Sequence, residues 1–282
     1  MEDKEKREGF AVIQEEWAPV IKVPELANAL ATTLDILFAD ALFLAGQTKG
    51  IVCRRTAKEK AEELVTKLKG MGVSSFIVPE SCLIEIPKAL NITKIACLPD
   101  TLTVFLDSSN KTYTAKWNDI ITISCGYVKQ VSTGQDSSLS ENFMGILGAH
   151  IPYLPVRAAA FPMAIWKWHT ESKPDKTVKY LLLMDIITRN PVARFRVESR
   201  RFAYTKLGQE MKLDTLSNFK ELIKEIISHL PQTCLKKDIE IFLGEEDRHQ
   251  KAAFKSHEEF DRYNAWLVQK ASHQLKQSEE KA

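Results

Sequence analysis

The 282-residue chain carries 39 Lys and Arg against 37 Asp and Glu, a formal charge of +2, with 44% hydrophobic, 27% charged and 9% aromatic residues. That balance excludes a disordered acidic or basic tail protein, a collagenous or low-complexity chain and a disulfide-built scaffold, and it names no activity. At roughly 100–200 residues per domain, the length predicts two domains, each able to bury its own core.

The first seven residues, MEDKEKR, are charged, and no short apolar run with a small-residue cleavage site follows them. No secretory signal is expected, and cytoplasmic residence is. After Pro24, the residues Leu26, Leu30, Leu34, Leu37, Phe38 and Leu42 recur at helical spacing and predict an amphipathic helical segment within 1–48. The stretch 26–46 is long enough to span a membrane, but Asp35 and Asp40 lie near its middle, and each would cost ~2.5–3.5 kcal/mol at a bilayer centre.

Residues 50–56, GIVCRRT, read as a strand, and Thr56 is placed to cap a helix over 57–70 with Glu59 as its capping-box partner. Gly70 and Gly72 stop that helix, and 73–78, VSSFIV, is the next strand. A strand, helix and strand in this span predict a βαβ unit with the two strands as parallel neighbours. Beyond Pro87, 102–106, 112–117 and 120–124 read as a β-meander, which completes a mixed domain over 49–129.

The run 130–142, QVSTGQDSSLSEN, has almost nothing to bury and is expected to link this domain to a second one over 143–243. His150, Arg157, Pro152, Pro155 and Pro162 interrupt the apolar stretch that follows and rule it out as a span. Strands are expected at 180–188, 192–198 and 200–207. A helix should start at Asp214 or Thr215, with Leu216, Phe219, Leu222, Ile223, Ile226 and Ile227 on one face. The last segment, 244–282, is a helical candidate carrying Phe254, Phe260, Tyr263, Trp266 and Leu267, with a frayed end. The fold class is therefore α+β: a βαβ-plus-meander domain, then an antiparallel sheet with a long helix.

The unit at 50–78, followed by antiparallel strands, resembles small ferredoxin-like regulatory modules of bacterial signal-transducing proteins, and 180–230 looks somewhat like a pleckstrin-homology-like domain. Both are likenesses of fold without a diagnostic motif, and neither brings site residues with it.

Four constellations offer chemistry. Arg54 and Arg55 beside a helix start at Thr56 are arranged to hold one phosphate or carboxylate through free amides and the helix dipole, although no glycine-rich phosphate loop is present; the alternative is a solvated arginine pair. Arg194, Arg196 and Arg200 fall on one face of a strand, with Arg201 adjoining and Phe202 and Tyr204 able to stack bases. The alternative is an ordinary half-exposed strand, and the near-zero net charge disfavours a nucleic-acid partner. Trp166 and Trp168 share one side at strand alternation and either line an aromatic groove or pack into a core. The acidic run Glu245, Glu246 and Asp247 beside His249 reads more simply as the start of a helix than as a cation site.

No metal or cofactor is expected, because His150, His169, His229, His249, His257 and His273 form no H-x-x-x-H or H-E-x-x-H and no C-x-x-C exists. Cys53, Cys82, Cys97, Cys125 and Cys234 are odd in number and read as reduced thiols. No nucleophile elbow appears. These readings lead to a non-catalytic binding, regulatory or adaptor protein that acts through a protein partner or self-association by way of incompletely covered terminal helices. An enzyme or sensor of small anions at Arg54, Arg55 and Thr56 is the competing expectation.

Overall fold

A computed structural model describes residues 8–17, 21–47, 49–107, 111–133, 176–230, 237–244 and 253–279. Helices and sheets are both present, as the α+β class requires. The first element is a strand, β1 (Phe10–Gln14), inside the segment read as helical. Its five residues are too short for a period to announce them, yet Ala11, Val12 and Ile13 are fully buried.

The expected single helix that follows is two helices, α1 (Val23–Leu34) and α2 (Phe38–Gln47). Asp35 takes a left-handed conformation (φ 59°, ψ 49°) and its N–H bonds the carbonyl of Ala31, which ends α1. The break resets the helical phase. Leu26 and Leu30 are buried as the spacing predicts, but in α2 the buried residues are Ala41 and Ala45.

Next come β2 (Ile51–Thr56), α3 (Lys58–Gly70) and β3 (Ser75–Pro79). The two strands are not neighbours as expected: β1 lies between them and pairs antiparallel with both, giving the order β2-β1-β3. A central strand contributed from earlier in the chain leaves no trace in the local βαβ pattern. Thr56 does not cap α3; it ends β2, and the N-cap is Ala57, which makes no side-chain cap bond.

The second sheet has seven strands: β4 (Leu90–Cys97), β5 (Thr101–Leu106), β6 (Thr112–Lys116), β7 (Ile120–Thr133), β8 (Lys176–Thr188), β9 (Ala193–Glu198) and β10 (Ala253–Phe254). Their order is β10-β7-β8-β9-β4-β5-β6. The meander therefore holds for β5 and β6 but not for β7, which lies across the sheet from them.

The run 130–142 does not separate independent cores, because β4 and β9, from either side of it, pair in parallel. A polar run looks the same whether it links two domains or lies between strands of one sheet. The chain forms two compact units, Met1–Val128 with Leu181–Ala282, and Lys129–Tyr180; of the latter, the described residues are the ends of β7 and β8.

Three helices complete the first unit: α4 (Thr215–His229), α5 (Lys237–Gly244) and α6 (His257–Glu279). The helix start at Asp214 is borne out, since its carboxylate accepts the Ser217 N–H at 2.7 Å. Residues 200–207 form no strand; the chain turns there and winds into a 3-10 segment over Tyr204–Glu210. The expected frayed end is instead helical through Glu279, with Ala271 buried.

Strand alternation explains the layers. Leu182, Met184 and Ile186 of β8 join Phe219, Leu222, Ile223 and Ile226 of α4 in one core. Leu181 and Leu183 point the other way and meet Phe260, Tyr263, Trp266 and Leu267 of α6, together with Ala11 and Ile13 of β1. Val12, between those two, turns to α1, α2 and α3. The C-terminal helix thus lies between the two sheets, and its apolar face, expected to be incompletely covered, is buried.

Candidate functional site

Helix α2 has the sequence FADALFLAGQ, apolar nearly all the way round. A helix of that kind is ordinarily buried on all sides. Its small residues Ala41 and Ala45, one turn apart, face inward with Leu26, Ala27 and Leu30 of α1. Its large residues face out: Phe43 is 66% exposed, Phe38 50%, Leu44 43% and Leu42 40%, and Leu37 just before the helix is 74% exposed. The expected helical face Leu26, Leu30, Leu34, Leu37, Phe38 and Leu42 is therefore split, its leading residues buried and its trailing ones in solvent. Phe43 and Leu44, absent from that face, belong to the outward set. The all-round apolar pattern of 37–45 is the sequence signal that finds them.

Arg54 and Arg55 lie near the end of edge strand β2, where the register against β1 slips. Arg55 has φ +56°, in the left-handed region. The carboxylate this pair was expected to seek is supplied by the chain itself. Glu80 accepts hydrogen bonds from Arg54 Nη2 at 2.9 Å, Arg54 Nε at 3.3 Å and the Arg55 N–H at 2.8 Å. The Arg54 guanidinium, aided by the Arg55 N–H, holds the Glu80 carboxyl below the usual carboxylate range. Thr56 is buried at the end of β2 rather than capping the helix; burial pushes the Cys53 thiol up.

The cationic strand face is neutralised in a similar way. Arg194 and Arg196 of β9 point across to β8, where Asp185 is fully buried. Arg196 grips Asp185 with a fork, Nε to Oδ1 at 2.7 Å and Nη2 to Oδ2 at 2.8 Å, and Arg194 Nε reaches Oδ2 at 2.7 Å. Both guanidiniums also donate to Oδ1 of Asp261 on α6, at 2.5 and 2.6 Å. Asn264 closes the set, donating to Asp185 at 3.1 Å and accepting from Ser124 of β7 at 2.5 Å.

Burial works against ionisation of Asp261, yet Arg196 and Arg194 more than offset it and hold the carboxyl below its ordinary value. For Arg196, burial would lower the pKa, and the bonds from Asp185 and Asp261 raise it instead. Two positive and two negative charges cancel, so the cluster fastens α6 to the sheet and offers no net attraction to a phosphate backbone. The sequence signal for this was Asp185 itself, a lone acid in the apolar run YLLLMDIIT, which needs a cation in the interior. Arg200 and Arg201 lie beyond β9 and are exposed, with Glu198 4.0 Å from Arg201.

Trp166 and Trp168, and the acidic run 245–247, lie outside the described residues. A cavity of about 100 Å³ between β3 and α6 is lined by Ile77, Val78, Cys82, Ser272, His273 and Lys276. That is well below the ~300–1,000 Å³ of sites for small-molecule ligands. Among the described residues no three His, Cys, Asp or Glu side chains gather as a metal site would require, and no helix is long and apolar enough to cross a membrane. No family model, no curated protein and no solved structure matches this chain.

Proposed function

We propose that the protein is a non-catalytic binding or regulatory module that acts through protein contacts made by α2. The observation that carries the reading is the exposure of Leu37, just before α2, and of Phe38, Leu42, Phe43 and Leu44 within it. Large apolar side chains exposed this close together mark an interaction surface. A protein suits it better than an anionic membrane, because Asp35 and Asp40, both exposed, sit within the patch and would be repelled by acidic headgroups.

The anion-sensor alternative has less to support it, since Glu80 already takes the Arg54 guanidinium and the Arg55 N–H. Nucleic-acid binding loses Arg194 and Arg196 to their aspartates.

The test is recovery of whatever protein, another chain or a second copy, accompanies the tagged full-length chain in fixed ratio, compared with Leu37→Glu and Phe43→Glu variants. Deleting the first 46 residues would be a poor test, since it removes the central strand β1. The variants should retain their circular dichroism and lose the accompanying protein. Equal recovery from wild type and variants would overturn the reading.

A further inference from the structure

We infer that the occupant of the α2 face is a second copy of this chain, joined by an antiparallel contact between the two α2 helices; this rests on the reading of that face as a protein-binding surface. With Ala41 and Ala45 turned inward, the helical period puts Phe43 at the centre of the outer face. Ala39, four residues before it, and Gly46, three after it, share that face and are exposed. Leu42 and Leu44 flank it.

Among the described residues, nothing at Gly46 requires glycine. A Cβ built there meets nothing within 4 Å, its φ lies outside the left-handed region, and glycine inside a helix costs about 1 kcal/mol relative to alanine. What a bare backbone at such a place permits is close approach from outside. An antiparallel two-fold contact centred on Leu42 and Phe43 sets Ala39 of one copy opposite Gly46 of the other. The backbones come close at both ends, the two Phe43 rings meet in the middle, and the helix dipoles oppose.

Area agrees with this occupant. The five large side chains, at ~150–250 Å² each and partly exposed, offer on the order of 500 Å² of apolar surface. A standard interface buries ~800 Å² per partner, of which ~56–65% is apolar, so the patch supplies the apolar share of one.

Sedimentation equilibrium of the full chain across a concentration series tests the inference. The expected species is a reversible dimer of twice 32.0 kDa. Phe43→Glu should weaken it by about tenfold or more, the effect of losing a central anchor. Gly46→Gln should weaken it too, while leaving the helix intact because space around Gly46 is open. As an independent measurement, Phe43→Cys in a Cys82→Ser background should be joined to itself by a short bis-maleimide, and Cys82→Ser alone should not.

A wild-type chain that stays monomeric at high micromolar concentration would overturn the inference, as would a dimer unaffected by Phe43→Glu. If a monomeric wild type still recovers a different protein in a Phe43-dependent way, only the second-copy inference falls. If it recovers none, the protein-binding reading falls with it.

Discussion

Trp266 Nε1 donates a hydrogen bond to the carbonyl oxygen of Gln14 at 2.7 Å, tying residues 252 positions apart. The bond fastens the last helix to the first strand in the core that α6 shares with both sheets. Trp266→Phe keeps most of the ring but orphans a buried carbonyl, at a cost of about 1–3 kcal/mol. Urea unfolding should show a lower midpoint with an unchanged slope and one transition. Two transitions would mean that the sheets unfold independently.

Gly50 packs its backbone against the same tryptophan. A Cβ there would stand 2.5 Å from Trp266 Cγ and 2.8 Å from Trp17 Cε3, at a φ of +72°. Gly50→Ala therefore meets both steric overlap and a left-handed backbone, and should destabilise by ~2–4 kcal/mol. Gly46→Ala, with open space around it, should leave stability equal or slightly higher. Thermal melts of the two variants, run side by side at a concentration where both are monomeric, check the contrast.

Asp185→Ala should cost about 3–5 kcal/mol, because it leaves two buried guanidiniums with Asp261 alone. Asp261→Asn should cost less: its carboxylate is half exposed and Asp185 still serves both arginines. Chemical denaturation of both variants tests the ranking, and an equal cost would show that the network does not centre on Asp185.

Acid should loosen the fold through the same group. Asp261, Glu80 and Glu259 all have folded values below their ordinary ones; for Glu259, burial pushes up while the bonds from Lys49 and the Lys255 N–H pull down further. A lowered folded value means that the stabilisation is complete above the ordinary carboxylate range, about pH 4 to 4.5, and is lost as pH falls below it. The unfolding midpoint should drop steadily below that range. Asp261→Asn should show a shallower drop, its difference from wild type shrinking toward the acid end; parallel curves would exclude Asp261 as a contributor.

Much of the fold was legible in the residues. The Asp214 cap and the apolar face of α4, the strand-helix-strand run from β2 to β3 and the hairpin of β5 and β6 follow from local periodicity and capping. The outward apolar character of α2 was partly legible, through Leu37, Phe38 and Leu42. Its true inner face was not, because the break at Asp35 reset the phase and two alanines, rather than leucines, met α1.

The sequence by itself determined the elements with a clear local period, among them β2, α3, β5, β8, β9 and α4, since period 2 and period 3.6 are properties of the local chain. Only the tertiary structure decided which strands are neighbours. Backbone ladders accept almost any extended partner, so β1 could enter between β2 and β3, and β4 could pair with β9 across a long interruption. The tertiary structure also decided the fate of the arginines. A charge pattern on one strand states a face, whereas the carboxylates that neutralise it, Asp185, Asp261 and Glu80, arrive from elements that sequence distance keeps out of view.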